Sequence, residues 1–515
     1  MEVNFDKNGF FYCLKATFLI GAVFFVGRFV AAEYALFAEG PEAIGAPAYV
    51  AVEKSSAAAG PQEPEYQELA QADGIFANGE EVLAKSRELS EAGEEFIYID
   101  LDSMKLTIYK GKEEVRIFPV MAKGRPGSFF ETPSGFYEIN YKETNHFSSI
   151  GKVWMPYSMH IFGNYFIHGW PYYPNGKPVE AAYSGGCIRL SKAGSKELFS
   201  FAKEGMQVLI YDKKSMEPVF AGNSYFRKVL STKNSKPLAI SADAALAADF
   251  ETGQILFSKE QKAVFPIASV TKLMTALVAS ESFQTKVFRV DKEALETYGN
   301  SAGLVEGELF DSEELLYPLL LASSNDAAAL YQEQGWNFMR SMNQKALAVG
   351  MRNTYYEDPS GLDQRNTSTP EDLFKLLQYI YNNKKPIFDI LSLDKYKLIS
   401  KNKKKAHVWE NVNWPKEDGR FISGKSGYTD EALQTMAGVY KVKLSEGEER
   451  NIAVIVLHSL DREKDINKII KNLEENIFYG NVLVKNPPEE TESPTKIIFN
   501  EANIFEAVKP FQLGR

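Results

Sequence analysis

The chain of 515 residues holds two cysteines, Cys13 and Cys187, too few for a disulfide-stapled scaffold or a multi-cysteine zinc or iron–sulfur site. Five histidines leave little material for a histidine-based metal centre. Basic residues are in deficit. Lys+Arg 58 against Asp+Glu 68 gives a net charge of −10, which argues against a general nucleic-acid binder. Internal repeats are missing. The apolar run near the N-terminus, Ala16 to Gly27, has twelve residues, short for a membrane span. What the chain does have is 44% hydrophobic and 24% charged residues, enough to bury large cores. Its length predicts about three units.

The ends and seams read as follows. Residues 1–36 are expected to be a signal peptide, with Lys15 before the apolar run and the small residues Val30-Ala31-Ala32 after it, or an uncleaved N-terminal anchor. Residues 37–93, rich in Ala, Glu, Gly and Pro, read as a spacer with helical stretches such as Glu80–Glu91. A connector is expected at 214–237 and a tail at 481–515 with Asn486-Pro487-Pro488 and Ser493-Pro494. The Lys401–Lys405 run reads as a solvated loop, with a patch for anionic wall polymer as the lesser reading.

The first globular unit, 94–213, opens on alternation. Met104, Leu106 and Ile108 point one way and Lys105, Thr107 and Tyr109 the other. Lys110-Gly111-Lys112 then turns the chain into Val115 and Ile117, a hairpin pattern. The unit reads as mainly β with one helix near 191–204. Cys187 is the one cysteine beyond the targeting segment and has no partner in an exported chain, which flags a reactive thiol. Gly185 and Gly186 before it let a substrate approach the backbone N–H groups, and Arg189 after it supplies charge that favours a thiolate. His168 lies nineteen residues upstream, room enough to return across a sheet as a base. The alternative is an inert buried cysteine and a satisfied core histidine.

Thr132-Pro133-Ser134-Gly135, Trp154-Met155-Pro156-Tyr157, Ile167-His168-Gly169 and Ser184-Gly185-Gly186-Cys187-Ile188-Arg189-Leu190 resemble the L,D-transpeptidase (YkuD-type) catalytic domain over about 95–212. The resemblance implies Cys187 as nucleophile and His168 as general base, with Gly186 and Arg189 at the substrate. It also implies a thioacyl intermediate on the diaminopimelate carbonyl of a tetrapeptide stem. This chain departs from many members in having Gly185 where they carry histidine or arginine.

In the second unit, 238–480, Ala244 to Lys259 reads as a hairpin turning at Glu251-Thr252-Gly253. Pro266 and Ser269 mark a helix start, and the helix presents Ser269 and Lys272 on one face. A lysine beside a hydroxyl can take its proton if burial lowers its pKa. Ser-x-x-Lys alone is weak, since Ser149/Lys152, Ser200/Lys203, Ser392/Lys395 and Ser400/Lys403 also have it. Ser269 stands out by its company. A Leu-rich helix, Leu315 to Leu321, runs into Ser323-Ser324-Asn325, and Lys425-Ser426-Gly427 follows further on.

These three pieces in order match the Ser-x-x-Lys, Ser-x-Asn and Lys-Thr/Ser-Gly signature of penicillin-binding enzymes. With Asp358-Pro359-Ser360-Gly361, Ser368-Thr369-Pro370 and Asn411-Val412-Asn413, the span resembles the serine D-alanyl-D-alanine carboxypeptidases (peptidase S11-type). Ser269 is implied as nucleophile. Lys272, Ser323 and Asn325 are implied as the proton-handling and orienting group. Lys425 and Ser426 would hold a terminal carboxylate, and Gly427 would let an edge strand approach.

Together the resemblances imply a multidomain α+β chain. A mainly-β L,D-transpeptidase domain precedes a β-lactamase/penicillin-binding-protein-like domain with an antiparallel sheet, flanking helices and a helical lobe. The expected function is a bifunctional peptidoglycan-remodelling enzyme, outside the cytoplasm, that trims pentapeptide stems and forms 3–3 cross-links. The alternatives are L,D-carboxypeptidase and D,D-endopeptidase activities, or a non-catalytic wall-binding protein. Expected partners are peptidoglycan stem peptides and β-lactams as covalent inhibitors, with no nucleic acid, no cofactor or metal, and membrane contact through the N-terminal segment alone.

Overall fold

The computed structural model describes residues 66–69, 78–213, 224–228, 237–299, 302–335, 337–402, 405–413, 418–444 and 449–480. The signal or anchor segment and the C-terminal tail read from the sequence lie outside these residues. Among the described residues no helix is long and apolar enough to cross a membrane.

The first strand, β1 (Tyr66–Glu68), is followed by helix α1 (Asn78–Glu91). Helix α1 sets Val82 and Leu89 against Phe96 and Leu209. The alternating pattern then gives β2 (Glu95–Asp100), β3 (Lys105–Lys110) and β4 (Glu113–Pro119), with Gly111 at φ +57 in the turn expected between the last two. Next come β5 (Gly135–Glu138), β6 (Tyr141–Ser148), β7 (Val153–Phe162), β8 (Tyr165–Gly169) and β9 (Ile188–Leu190). Helix α2 (Lys192–Phe201) and strand β10 (Gln207–Tyr211) complete the domain. Helix α2 starts where Ser191 caps it, accepting from the Gly194 N–H.

Two sheets result. One has the order β4-β3-β2-β10-β5, with β10 parallel to β2, and the other β6-β7-β8-β9, with β8 parallel to β9. Ile97, Ile99, Ile108, Ile167, Ile188 and Val208 fill the space around them. This is the mainly-β domain the sequence predicts.

Strand β11 (Ser224–Lys228) lies in the stretch read as a connector. The serine-motif domain opens with the expected hairpin, β12 (Ala244–Asp249) and β13 (Ile255–Lys259), followed by β14 (Phe265–Pro266) and a 3-10 turn over Ala268–Thr271. Helices α3 (Lys272–Ser282) and α4 (Lys292–Leu295) have β15 (Val287–Arg289) between them, and β16 (Leu309–Asp311) follows. The helical lobe continues as α5 (Ser312–Leu321), α6 (Asn325–Gln334) and α7 (Phe338–Ala348). It is joined by β17 (Thr367–Ser368), α8 (Pro370–Asn383), α9 (Lys385–Leu391), β18 (Lys395–Ile399) and β19 (Ala406–Glu410). Helix α8 starts on a Thr369 cap with Pro370 in its first turn, a position where the missing N–H costs nothing.

The long strands β20 (Phe421–Thr429), β21 (Leu433–Lys443) and β22 (Glu449–Ser459) precede α10 (Arg462–Asn476) and β23 (Ile477–Gly480). They form an antiparallel sheet of order β13-β12-β22-β21-β20, as the resemblance implied, so β20 is an edge strand. Strands β1, β11 and β23 make a separate three-stranded sheet. All described residues belong to one compact unit beginning at Pro64, and a single apolar cluster runs from Ile97 through Leu457.

Candidate active sites

The serine site is built at the start of α3. The sequence predicts a helix beginning at Ser269. Instead Ala268, in the left-handed region at φ +47, turns the chain into the 3-10 stretch, and the α-helix proper starts at Lys272. Gly361 packs its backbone against the Ala268 carbonyl at a point where a Cβ would come within 1.9 Å, so only glycine fits beside this turn. Ser269 is thereby half-exposed at an elbow while Lys272 is fully buried.

The Lys272 Nζ donates to Ser269 Oγ at 2.8 Å, to Asn325 Oδ1 at 2.7 Å and to the Ser360 carbonyl at 2.6 Å. Burial brings its pKa down to about 7, against the opposing pull of Asp358 and Asp326. Near neutral pH a fraction of Lys272 is therefore an unprotonated amine in contact with the hydroxyl. Asn325 is anchored in turn through its Nδ2 to the Tyr298 carbonyl at 2.8 Å. Ser323 lies two residues before it, half-buried, at φ +56. Ser324, between them, is fully buried. Its hydroxyl accepts from the Ala327 N–H as the cap of α6, so it helps aim Asn325.

Across the site, Lys425 Nζ donates to Asn413 Oδ1 at 2.7 Å and to the Ser426 carbonyl at 2.8 Å. Burial holds its pKa well below the ordinary lysine range, and the nearby Lys272 and Arg462 charges add to this. The Ser426 hydroxyl and N–H both face the same Asn413 oxygen, at 3.3 and 3.1 Å. Gly427 lies where a Cβ would sit 2.7 Å from the Ser269 N and 2.6 Å from Thr435 Oγ1. Edge strand β20 thus passes directly against the nucleophile's backbone. A cavity of about 400 Å³ opens beside Asn325, Ser360 and Leu362.

The cysteine site lies where β8 and β9 run parallel. Their register sets Ile167 beside Ile188 and His168 beside Arg189, so Cys187, just ahead of β9 and level with Phe166, falls on the same face of the sheet as His168. Both line one cavity of about 280 Å³ together with Asn164, Gly185 and Arg189. The His168 Nδ1 lies 2.6 Å from the Gly169 carbonyl, which can only accept, so Nδ1 carries the proton and Nε2 is left as an acceptor. The Cys187 thiol donates to the Asn164 carbonyl at 3.6 Å.

Arg189 favours the thiolate as expected, but it is not the largest influence on the thiol. Burial pushes the Cys187 thiol up to about 11, outweighing Arg189, and brings His168 down to about 4. The resting pair is neutral. Arg189 stacks on Trp170 with its guanidinium carbon 5.5 Å from the ring centre, and donates from Nη1 to the Ala181 carbonyl. Its Nε is buried without a hydrogen-bond partner among the described residues, a donor free for an anionic group.

The loop before Cys187 is held rigidly. Ser184 Oγ donates to the Cys187 carbonyl at 2.5 Å and accepts from the Gly186 N–H, while Thr132 Oγ1 donates to the Gly186 carbonyl. Gly186, at φ +103, leaves no room for a Cβ, which would fall 2.0 Å from Tyr165 Cε1. Gly185 faces open space, so its difference from many relatives is one of chemistry and not of room.

All eleven site residues named from the sequence therefore fall into two clusters. Ser269, Lys272, Ser323, Asn325, Lys425, Ser426 and Gly427 make one; Cys187, His168, Arg189 and Gly186 make the other. Sequence reasoning missed the Ser360 carbonyl, Thr435, Arg462, Tyr165 and the part of Asn413 as the shared acceptor for Lys425 and Ser426. Ser360 and Asn413 had a signal, the Asp358-Pro359-Ser360-Gly361 and Asn411-Val412-Asn413 stretches.

Comparison with known proteins identifies a family for each of the two domains. The profile of the L,D-transpeptidase catalytic domain (YkuD) matches residues 94–210, and that of D-alanyl-D-alanine carboxypeptidase (peptidase S11) matches 231–458. A D-alanyl-D-alanine endopeptidase of Pseudomonas aeruginosa is 37% identical over 145 residues, covering 27% of this chain and 47% of that protein. One of Haemophilus influenzae is 34% identical over 227 residues, covering 42% of this chain and 76% of that protein. A D-alanyl-D-alanine carboxypeptidase structure from Mycobacterium tuberculosis aligns at TM-score 0.42 and 25% identity, covering 47% of this chain and 95% of that one. The chain thus spans about half the length of the first of these relatives and three quarters of the second. It belongs to the S11 family of D-alanyl-D-alanine peptidases and carries a YkuD-type L,D-transpeptidase domain ahead of the serine domain.

Proposed function

We propose that the chain is a two-site peptidoglycan-remodelling enzyme acting outside the cytoplasm, with Ser269 and Cys187 as separate nucleophiles. The observation that carries the reading is the 2.8 Å contact between Ser269 Oγ and a buried Lys272 whose pKa is brought to about 7. At the serine site, Ser269 Oγ attacks the carbonyl of the penultimate D-Ala as its proton passes to Lys272. The C–N bond breaks, the proton goes on to the leaving D-Ala amine, and water releases the acyl group. Lys425 and Ser426 face the terminal carboxylate, and the free edge of β20 pairs with the peptide backbone.

At the cysteine site, the neutral thiol gives its proton to His168 Nε2 as Sγ attacks the diaminopimelate carbonyl of a tetrapeptide. The terminal D-Ala leaves with that proton, and the side-chain amine of a second stem takes the acyl group. The unpartnered Arg189 Nε is suited to a stem carboxylate. Trimming at Ser269 would supply the tetrapeptide donor that Cys187 uses. Mass spectrometry of products from defined tetra- and pentapeptide muropeptides tests all of this. Loss of 3–3 dimers in Cys187→Ser, and loss of D-Ala release from pentapeptide in Ser269→Ala, are the expected results. A Ser269→Ala chain forming as many 3–3 dimers from pentapeptide as wild type would sink the relay.

A second reading of the serine site, cleavage of D,D cross-links, is favoured by the two relatives named D-alanyl-D-alanine endopeptidase. It shares the acyl-enzyme step, and a cross-linked dimer included among the substrates separates the two.

A further inference from the structure

The cavity beside Cys187 has one wall that does not come from its own domain. Gln284, just beyond the C-terminal end of α3 in the serine domain, lines that cavity and is 3% exposed. Its Nε2 donates to the Tyr165 hydroxyl at 2.9 Å. Tyr165 is fully buried, and its ring is the surface on which Gly186 lies. The same helix end reaches the residue that faces the thiol. The Asn164 N–H donates to the Glu281 carbonyl at 3.2 Å and its Nδ2 to the Ser282 carbonyl at 2.8 Å. The Asn164 carbonyl in turn accepts from Cys187 Sγ. A third tie comes from Lys384, which donates to the Tyr165 hydroxyl at 2.8 Å and to the carbonyls of Phe129 and Glu131. The Phe129–Glu131 turn packs on Gly186 from the other side, with the Phe130 carbonyl 3.2 Å from where its Cβ would be.

We infer that Gln284 is a positioning residue of the cysteine site, lent by the serine domain. It fixes the Tyr165 ring under Gly186 and so sets the backbone N–H groups beside Cys187 where the substrate carbonyl must arrive. The inference rests on the reading of Cys187 as the acylated nucleophile. Misplacement of a reacting group by about 1 Å can cost on the order of a hundredfold in rate. A loosened Tyr165 stays enclosed in the core and shifts by less than this. The expected loss is therefore smaller, roughly tenfold, and falls on the acylation step.

The test uses the full chain and two variants, Gln284→Leu, which keeps bulk and loses the donor, and Tyr165→Phe, which keeps the ring and loses the acceptor. Intact-mass kinetics with a carbapenem on a Ser269→Ala background give the limiting acylation rate of Cys187 and its half-saturation concentration. The expected result is a limiting rate about tenfold lower in both variants, with half-saturation changed by less than about threefold. Fluorescent-penicillin labelling of Ser269 in the matching chains that retain it should stay as in wild type, while the melting temperature falls by a few degrees at most, the cost of one buried polar group left short of a partner. An unchanged limiting rate in Gln284→Leu overturns the inference. So does a loss shared equally by Ser269 labelling and melting temperature, which would make Gln284 only a structural contact. Absence of any Cys187 adduct in the parent chain would overturn the reading of the cysteine site, and the inference with it.

Discussion

Removing the charge of Glu281 while keeping its shape, as Glu281→Gln, should be among the most damaging single changes to this fold. Glu281, Lys345 and Lys384 are all fully buried. The carboxylate meets Lys345 through both oxygens, at 3.0 and 2.8 Å, and stands 3.7 Å from Lys384. Lys345 also donates to the hydroxyls of Tyr137 and Tyr379, so the cluster joins both catalytic domains. Burial lowers the pKa of Lys345 and brings that of Lys384 to about 8, and Glu281 opposes the shift in both.

The loss has a ceiling, because an ammonium stripped of its counter-charge can shed its proton. At pH 7.5 that costs about 4 kcal/mol relative to an ordinary lysine. Lys384 already bears most of this cost in the wild type and adds under about 1 kcal/mol. Lys345 carries the rest. The total of about 3–5 kcal/mol is the range for breaking a buried ion pair. At about 2–4 °C per kcal/mol for a domain of some 200 residues, the melting temperature should fall by roughly 6–20 °C. The sign with pH follows. In the variant the unfolded chain binds more protons than the folded one over the window below the ordinary lysine value, so its stability rises with pH. The wild type gains less, and the deficit should narrow by up to about 1.4 kcal/mol for each unit from pH 7.5 to 9. Differential scanning calorimetry at several pH values measures this. A variant melting within 2 °C of wild type at pH 7.5, or a deficit that widens with pH, would refute the reasoning. Replacing all three charged residues with methionine should restore much of the loss.

Three further outcomes are expected. Acylation of Ser269 by a penicillin should rise with pH through about 7 as Lys272 becomes neutral. Lys272→Ala should lower it by about 10²–10⁴-fold; stopped-flow labelling with an inflection well below 6 would contradict that role. Because Cys187 and His168 stay neutral between about 4 and 11, carbapenem acylation of Cys187 should be flat from pH 5.5 to 9, and iodoacetamide should alkylate the thiol slowly at pH 8. An inflection near 6.5 in the acylation profile would indicate an ordinary histidine instead. Gly427→Ala forces a methyl between β20 and the Ser269 N–H and should abolish penicillin labelling, while carbapenem adducts at Cys187 persist in the same chain.

The two chemical centres were legible because each is announced by a short run of residues with a fixed spacing. Ser269 and Lys272 share a turn, and Ser184 through Leu190 form one loop and strand. The β3–β4 and β12–β13 hairpins were legible from alternation and their turn residues. What stayed hidden depends on chain segments far apart in sequence. Tyr165 and Gln284 are separated by 119 positions, and Lys384 lies 219 beyond Tyr165. Nothing local marks Lys345 or Lys384 as buried, since lysines beside Asn383 or Gln344 read as surface. The resting ionisation of the cysteine is hidden from the sequence for a related reason. Arg189 is visible in the motif, whereas the desolvation that outweighs it is a property of the packed domain.

Helix α3 begins at Lys272 and ends at Ser282, and its eleven residues span about 16 Å. One end meets the serine hydroxyl and the other clasps the turn that faces the sulfur. Escape from a drug at either centre by sliding or tilting this rod is therefore constrained twice. A shift that spoils penicillin attack disturbs the bed of the thiol, and a shift that deflects a carbapenem drags on the amine that activates the hydroxyl.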